Sequence, residues 1–572
     1  MSVTFEKFLV KEDFEGYEDP VKYETFKPKL EKYVQNLNEN IKPEYAITLP
    51  KPIEELRADQ FNAVDYLYKE KLLTEKEFEI TDCNNPELAE KISKGEYSSV
   101  DVLKAFAKRA TIAHQLTNCA MEIFIDEGLE RAKYLDEYLA KNGKTIGPLH
   151  GLPISLKEHY KYKGKVCHAS FVSLIDNVAE DHSTTIQILE NLGAVFYIRT
   201  NQPQCLMHLC SENNYVGGAR SPYNISLSAG GSSSGEGALV SMGGSVAGVG
   251  SDIGGSVRSP AAFSGCFSLR PSNKRISLAG AVASGSGQES IVAVCGPLAR
   301  SLEDVDYWMK SYINDGEPWE LDQDCVRMPW RDVPKPAAKD LTIAVMYDDG
   351  IVKPTPPIQR GLKETVAKLE KAGVKIVEFK PIKAQEALDL INDMYTADGN
   401  VSSKKLLSQS GEPLTKLTKW YLNYGRGKKS FTIYENHQLN VARDLLRQEY
   451  LEYFNNNKID FILSPTSSNV APKPEEVFNW SYTTLWNILD SPTIVFQTGL
   501  FQDPKIDKWD DSFKDYKYRS DLEELELTNY KPEEFIGAPI GLQLSGKRYY
   551  DEEVVAAGKT IGDILGVKIL KN

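Results

Sequence analysis

Histidine and cysteine are scarce: the chain has 7 and 8 of them in 572 residues. The cysteines form no CxxC pair and no zinc spacing, and Cys205 and Cys210 are the closest two. That excludes a disulfide framework and fits free thiols in a reducing cytosol. There is no HExxH motif or other ligand cluster, so no metal and no organic cofactor is implied. No run of about 18 apolar residues occurs, so no transmembrane helix or stable membrane insertion is expected. The opening MSVTFEKFLVKEDFEGYEDP is acidic and lacks an apolar core, unlike a signal peptide. Positive charge is in deficit, with a net charge of −14. Such a surface repels phosphates, which argues against a nucleic-acid partner. These absences point to a cytoplasmic protein.

What is there is ordinary globular composition, 41% hydrophobic and 26% charged. Residues 1–95 are polar with short helical patches and read as a mainly helical N-terminal extension. Ser98-Ser99-Val100-Asp101 has the look of a capping box, with Leu103, Phe106 and Ala110 on one helical face beyond it. Helices and strands then alternate. TTIQILENLG stops at Gly193 before the strand AVFYIRT, and GLKETVAKLEKAG stops at Gly373 before VKIVEF. DLTIAVMY, DFILSPT and SPTIVFQTG are further apolar runs. Buried strands alternating with helices predict an α/β fold, a mixed central sheet covered on both faces. No linker divides residues 96–572, which read as one large domain. Residues 503–534 form a charged insertion, either a solvated surface loop or a lid near a substrate mouth.

The stretch from Gly230 to Ser256 holds 10 glycines and 7 serines. A flexible linker would be polar throughout, and this one contains ALVSM and SVAGVG. A phosphate loop would need GxxxxGK, which is absent, and GVGSDIG has its acidic residue inside the loop. Gly231-Ser232-Ser233-Ser234-Gly235 matches GxSxG, but the preceding NISLSA is a poor strand. The single downstream histidine, His437, lies in a helical stretch. A Ser-His-Asp triad therefore lacks its base.

Lysine supplies another. PLHGLPISLKEHY places Lys157 just after the apolar run Leu152–Leu156. Alone it reads as a surface charge. In order and spacing, however, LHGLPISLKE, TNQPQCLMHLCSENN, SPYNISLSAGGSSSGEGAL and GSDIGGSVRSPAAFSGCFSLRPS resemble the amidase signature family. GPLARSLEDVDYW, DFILSPT, YTTLWNILDSPTIVF and GAPIGLQLSGKRYYDE resemble its later segments. The likeness is strong over residues 95–330, moderate over 440–570, and closest in tone to fungal acetamidases.

The resemblance implies that Lys157 is the base, Ser232 the bridging serine and Ser256 the nucleophile, with a cis peptide at Gly231–Ser232. It implies an oxyanion site from the N–H groups of Ile253, Gly254, Gly255 and Ser256. Ser233 would hydrogen-bond behind the bridging serine. Asp252 and Arg258 would brace the loop or form a structural ion pair. Ser234 stands where the family usually has glycine. A free lysine has a pKa near 10.4, so burial must lower it before it can accept a proton.

The activity implied is hydrolysis of a carboxamide to an acid and ammonia or an amine. Small or medium neutral amides are favoured, because the chain is acidic and shows no apolar anchor. Rival readings are a lipid amide hydrolase, an amidotransferase-type subunit and a non-catalytic binding protein. A homodimer is left open. Leu206 is an acyl-pocket wall or core packing, and Trp486 and Ile488 are weaker pocket candidates.

Overall fold

The computed structural model describes residues 3–9, 14, 16–423 and 430–570. Among the described residues the strands are β1 Ala120–Ile123, β2 Pro153–Lys157, β3 Val195–Thr200, β4 Arg220–Ser221, β5 Asn224–Ser228, β6 Ala247–Asp252, β7 Phe267–Arg270, β8 Val294–Ala299, β9 Thr342–Val345, β10 Lys375–Glu378, β11 Phe461–Pro465, β12 Thr493–Phe501 and β13 Pro539–Ser545. Eleven of them form one sheet in the order β1-β3-β2-β6-β8-β7-β12-β13-β11-β9-β10. It is mixed. β2 runs parallel to β3 and β6, and β9 parallel to β10 and β11, while the strands between are antiparallel.

Successive residues of a strand face opposite sides. In β2, β3, β6, β8, β11 and β13 every residue is buried, so helices cover both faces of the sheet. This is the α/β architecture expected. The helix Thr184–Asn191 ends before Gly193 in a left-handed conformation, φ 97°, and β3 follows. Gly373, φ 96°, separates the helix Pro356–Lys371 from β10 in the same way.

Four local expectations are corrected. NISLSA is a strand: Asn224–Ser228 pairs with β4, with Ile225 and Leu227 fully buried between polar neighbours. VKIVEF is a half-exposed edge strand with Lys375 and Glu378 in solvent. Ser98 caps its helix by accepting from Asp101 N at 3.0 Å without the reciprocal bond of a capping box, and Asp136 accepts from the next N–H, that of Ser99. The 503–534 stretch is no solvated loop throughout. It contains the helix Asp521–Thr528, buries Leu525, Glu526 and Leu527, and stacks Trp509 on Phe513.

Before residue 95 the described residues form short helices, including Lys27–Glu39, Ala63–Lys69 and Glu75–Asp82. Leu56, Ala63, Val64 and Leu67 pack into one apolar cluster with Leu103, Ala107 and Tyr223. The N-terminal segment is thus bound to the body of the fold by shared burial.

Candidate active site

Three chain segments meet at the carboxyl ends of the parallel pair β2 and β6. Lys157 is the last residue of β2 and is fully buried. Its Nζ donates to Ser232 Oγ at 2.6 Å and to Ser251 Oγ, near the end of β6, at 3.1 Å. Ser232 follows a cis peptide from Gly231, just before the helix Ser234–Ser241. Burial drives the Lys157 ammonium down to about 7, although Asp252, Glu236 and Cys295 pull the other way.

Ser256 stands in the turn between β6 and the helix Arg258–Ser264. Its carbonyl accepts from Ser233 N at 3.1 Å. Ser233 Oγ in turn accepts from Ser251 N at 3.2 Å. The three expected residues are therefore gathered on one backbone framework, with Ser233 tying the Ser256 turn to β6. Ser234 fits as well, because its hydroxyl donates to Asn201 O at 2.9 Å.

The turn is held from behind. Asp252 Oδ1 accepts from Gly255 N at 2.9 Å, and Oδ2 accepts from Val257 N at 3.1 Å. Arg258 donates to both oxygens, Nε at 3.0 Å and the second terminal nitrogen at 2.9 Å, and all of these groups are buried. Burial alone would raise the Asp252 carboxyl, but Arg258 and Asn487 hold it at about 2. Asp252 and Arg258 are thus both an ion pair and the brace of the loop.

The carbonyls of the turn are pinned too. Tyr395 Oη donates to Ile253 O at 2.5 Å, and Thr483 Oγ1 donates to Gly254 O at 2.6 Å. Gly255 O accepts from Arg258 N and Ser259 N at 2.9 and 2.8 Å. Each peptide plane carries the next N–H on its opposite side, so these bonds aim the N–H groups of Gly254, Gly255 and Ser256. That of Gly255 is already given to Asp252. Gly255 therefore drops out of the four expected oxyanion donors. Gly255 has φ 129°, and a Cβ there would lie 2.5 Å from Thr483 Oγ1, so only glycine fits.

Leu206 is buried in a cluster with Phe171, Leu407 and Tyr421, where it packs as core. Trp486 and Ile488 are fully buried. The same helix, Ser481–Ile488, reaches the turn through Thr483 and Asn487, one helical turn apart. Tyr395, Trp480 and Thr484 stand nearest the side of Gly254 where a Cβ would be. Sequence reasoning missed Tyr395, Thr483, Asn487 and Ser251. Only the i, i+4 spacing of Thr483 and Asn487 signalled a common face. His437, the residue a GxSxG triad would need, is exposed on the helix Ile433–Asn456.

A sequence profile of the Amidase family matches residues 101–555. The chain belongs to the amidase family. This amidase is 42% identical to a putative amidase of Schizosaccharomyces pombe over 85% of its own length and 90% of the relative's. It is 38% identical to an acetamidase of Emericella nidulans, over 88% and 93% of the two chains. A solved structure titled fatty acid amide hydrolase superposes with a TM-score of 0.98 at 59% identity, covering 99% of this chain and 100% of the other. The amidase therefore hydrolyses amide bonds. Among its described residues no helix is long and apolar enough to cross a membrane.

Proposed function

We propose that this amidase cleaves its carboxamide through an acyl-enzyme on Ser256, with Ser232 and Lys157 carrying the proton. The carrying observation is the 2.6 Å contact from Lys157 Nζ to Ser232 Oγ, made by a lysine that burial holds near neutrality at pH 7. Neutral Lys157 accepts the Ser232 proton, and Ser232 accepts that of Ser256 as its oxygen attacks the carbonyl. The N–H groups of Ile253, Gly254 and Ser256 receive the oxyanion. The proton then returns to the departing amine, which is a poor leaving group without it. Water releases the acid by the same relay. Its cytoplasmic site is part of this proposal.

For the substrate we favour an amide with an apolar acyl chain over the small amides suggested by the acidic composition. The support is the 59% identity to the protein titled fatty acid amide hydrolase, together with Tyr395 and Trp480 packed at 5.3 Å beside Gly254. The acetamidase relatives support the small-amide reading. A series of primary amides from C2 to C18, assayed by ammonia release, separates them. Each buried CH₂ adds about 0.8 kcal/mol, roughly fourfold in kcat/KM. A climb beyond C8 supports the apolar chain, and a maximum at C2 contradicts it.

A further inference from the structure

Glu236 takes no part in the relay just described. It lies in the first turn of the helix Ser234–Ser241, fully buried. Its carboxyl accepts from Ser155 Oγ and, at 2.9 Å, from Thr200 Oγ1. Both hydroxyls are neighbours of Lys157 in the sheet. Ser155 leaves β2 on the same face two residues earlier, and Thr200 is the residue opposite Lys157 in β3. The sheet also makes room for this acid, because a Cβ on Gly248 in β6 would lie 2.1 Å from Glu236 Oε2. After these two hydrogen bonds, the charge of Lys157 also favours the carboxylate form.

We propose that Glu236 is a positioning residue for the base: a buried counter-charge, held by Ser155 and Thr200, that governs how firmly Lys157 keeps a proton. The proposal rests on Lys157 being the base.

The surrounding groups leave this pair to titrate together. Lys157 is faced by Ser232 and Glu236 from one segment, Ser251 and Asp252 from β6, Cys295 from β8 and His159 from the turn after β2. Asp252 is committed to Arg258. Burial pushes the Cys295 thiol up to about 12 and His159 well below its ordinary range. Around Glu236, burial raises Tyr160, Tyr197, Cys119 and Cys266, so all four are uncharged near neutrality. Burial lifts Glu236 itself to about 8, close to Lys157 at about 7.

On this proposal the two groups titrate as a pair. Once the pair has lost its first proton, it is either neutral lysine with carboxylic acid or ammonium with carboxylate. The second form withholds neutral lysine and spreads the gain of activity over a wider pH range. Glu236→Gln removes that form.

The test is the rate at which a fluorophosphonate labels Ser256, measured against pH in the full-length protein and in Glu236→Gln, Ser155→Ala and Lys157→Ala. In Glu236→Gln the rising limb is expected to sharpen to a single ionisation and move to lower pH by about 1 unit, as removal of a nearby opposite charge does. Ser155→Ala keeps the acid but removes a donor that favours its charged form, so the limb should move the same way by less. Lys157→Ala should lose labelling. A limb that stays put in both of the first two variants, or moves to higher pH, overturns the counter-charge while leaving the base in place. Wild-type labelling in Lys157→Ala overturns both.

Discussion

Replacing Asp252 by asparagine perturbs the site at its most connected point. The carboxylate accepts from Gly255 N, Val257 N, Asn487 Nδ2 and two nitrogens of Arg258. An asparagine turns one acceptor oxygen into a donor, set against N–H groups that have no other use for it. It also leaves a buried guanidinium without its anion, which costs about 3–5 kcal/mol. The turn loses the bonds that hold it from behind, and each oxyanion donor misplaced by its shift lowers kcat by about 10²–10³. The wild-type advantage has a defined pH window. Asp252 is lowered from 3.8 to about 2 in the fold, so its contribution is complete above pH 4 and lost as pH falls toward 2. That shift corresponds to about 2–3 kcal/mol. Urea unfolding followed by tryptophan fluorescence from pH 7 down to pH 3, with kcat measured in parallel, checks both parts. A variant within about 0.5 kcal/mol of wild type at pH 7, the ordinary range for a surface change, and with unchanged kcat refutes the reasoning.

Further outcomes follow from the same geometry. Ser256→Ala should abolish turnover and Lys157→Ala come close to it, whereas Ser232→Ala should keep more activity because water can bridge the relay; steady-state ammonia release ranks the three. Activity should rise as pH passes about 7, where the neutral form of Lys157 takes over, and should survive EDTA; a rate that collapses with EDTA and returns with zinc contradicts it. Tyr395→Phe removes the donor to Ile253 O, and Thr483→Val removes the donor to Gly254 O. Each should lower kcat by about fivefold with little change in KM, since the lost bond is worth about 1 kcal/mol and acts on the oxyanion donors.

The candidate residues Lys157, Ser232 and Ser256 were named through the resemblance to the amidase signature family, since the lysine alone reads as a surface charge. Lys157 closes an apolar strand, and Ser232 and Ser256 sit in turns whose glycines announce close approach. The bonds that orient those turns come from far along the chain. Thr483 reaches Gly254 across 229 residues, and Tyr395 reaches Ile253 across 142. No spacing rule connects such positions, so they emerge only when the sheet and helices are assembled. The strand Asn224–Ser228 was misread because its composition is polar. Yet Ile225 and Leu227 alternate with Asn224, Ser226 and Ser228, and that period of two was the better guide. The run VKIVEF misled the other way. Its apolar residues suggested a buried strand, but Lys375 and Glu378 suit the sheet edge, where one side has no partner.

Locating the covalent adduct tests the central claim most directly. The protein is incubated with a fluorophosphonate at pH 8, digested, and its peptides sequenced by mass spectrometry. The account predicts one modified residue, Ser256, with labelling lost in Ser256→Ala and strongly slowed in Lys157→Ala. Adduct on Ser232 or elsewhere, or full amide turnover by a Ser256→Ala protein, would contradict it.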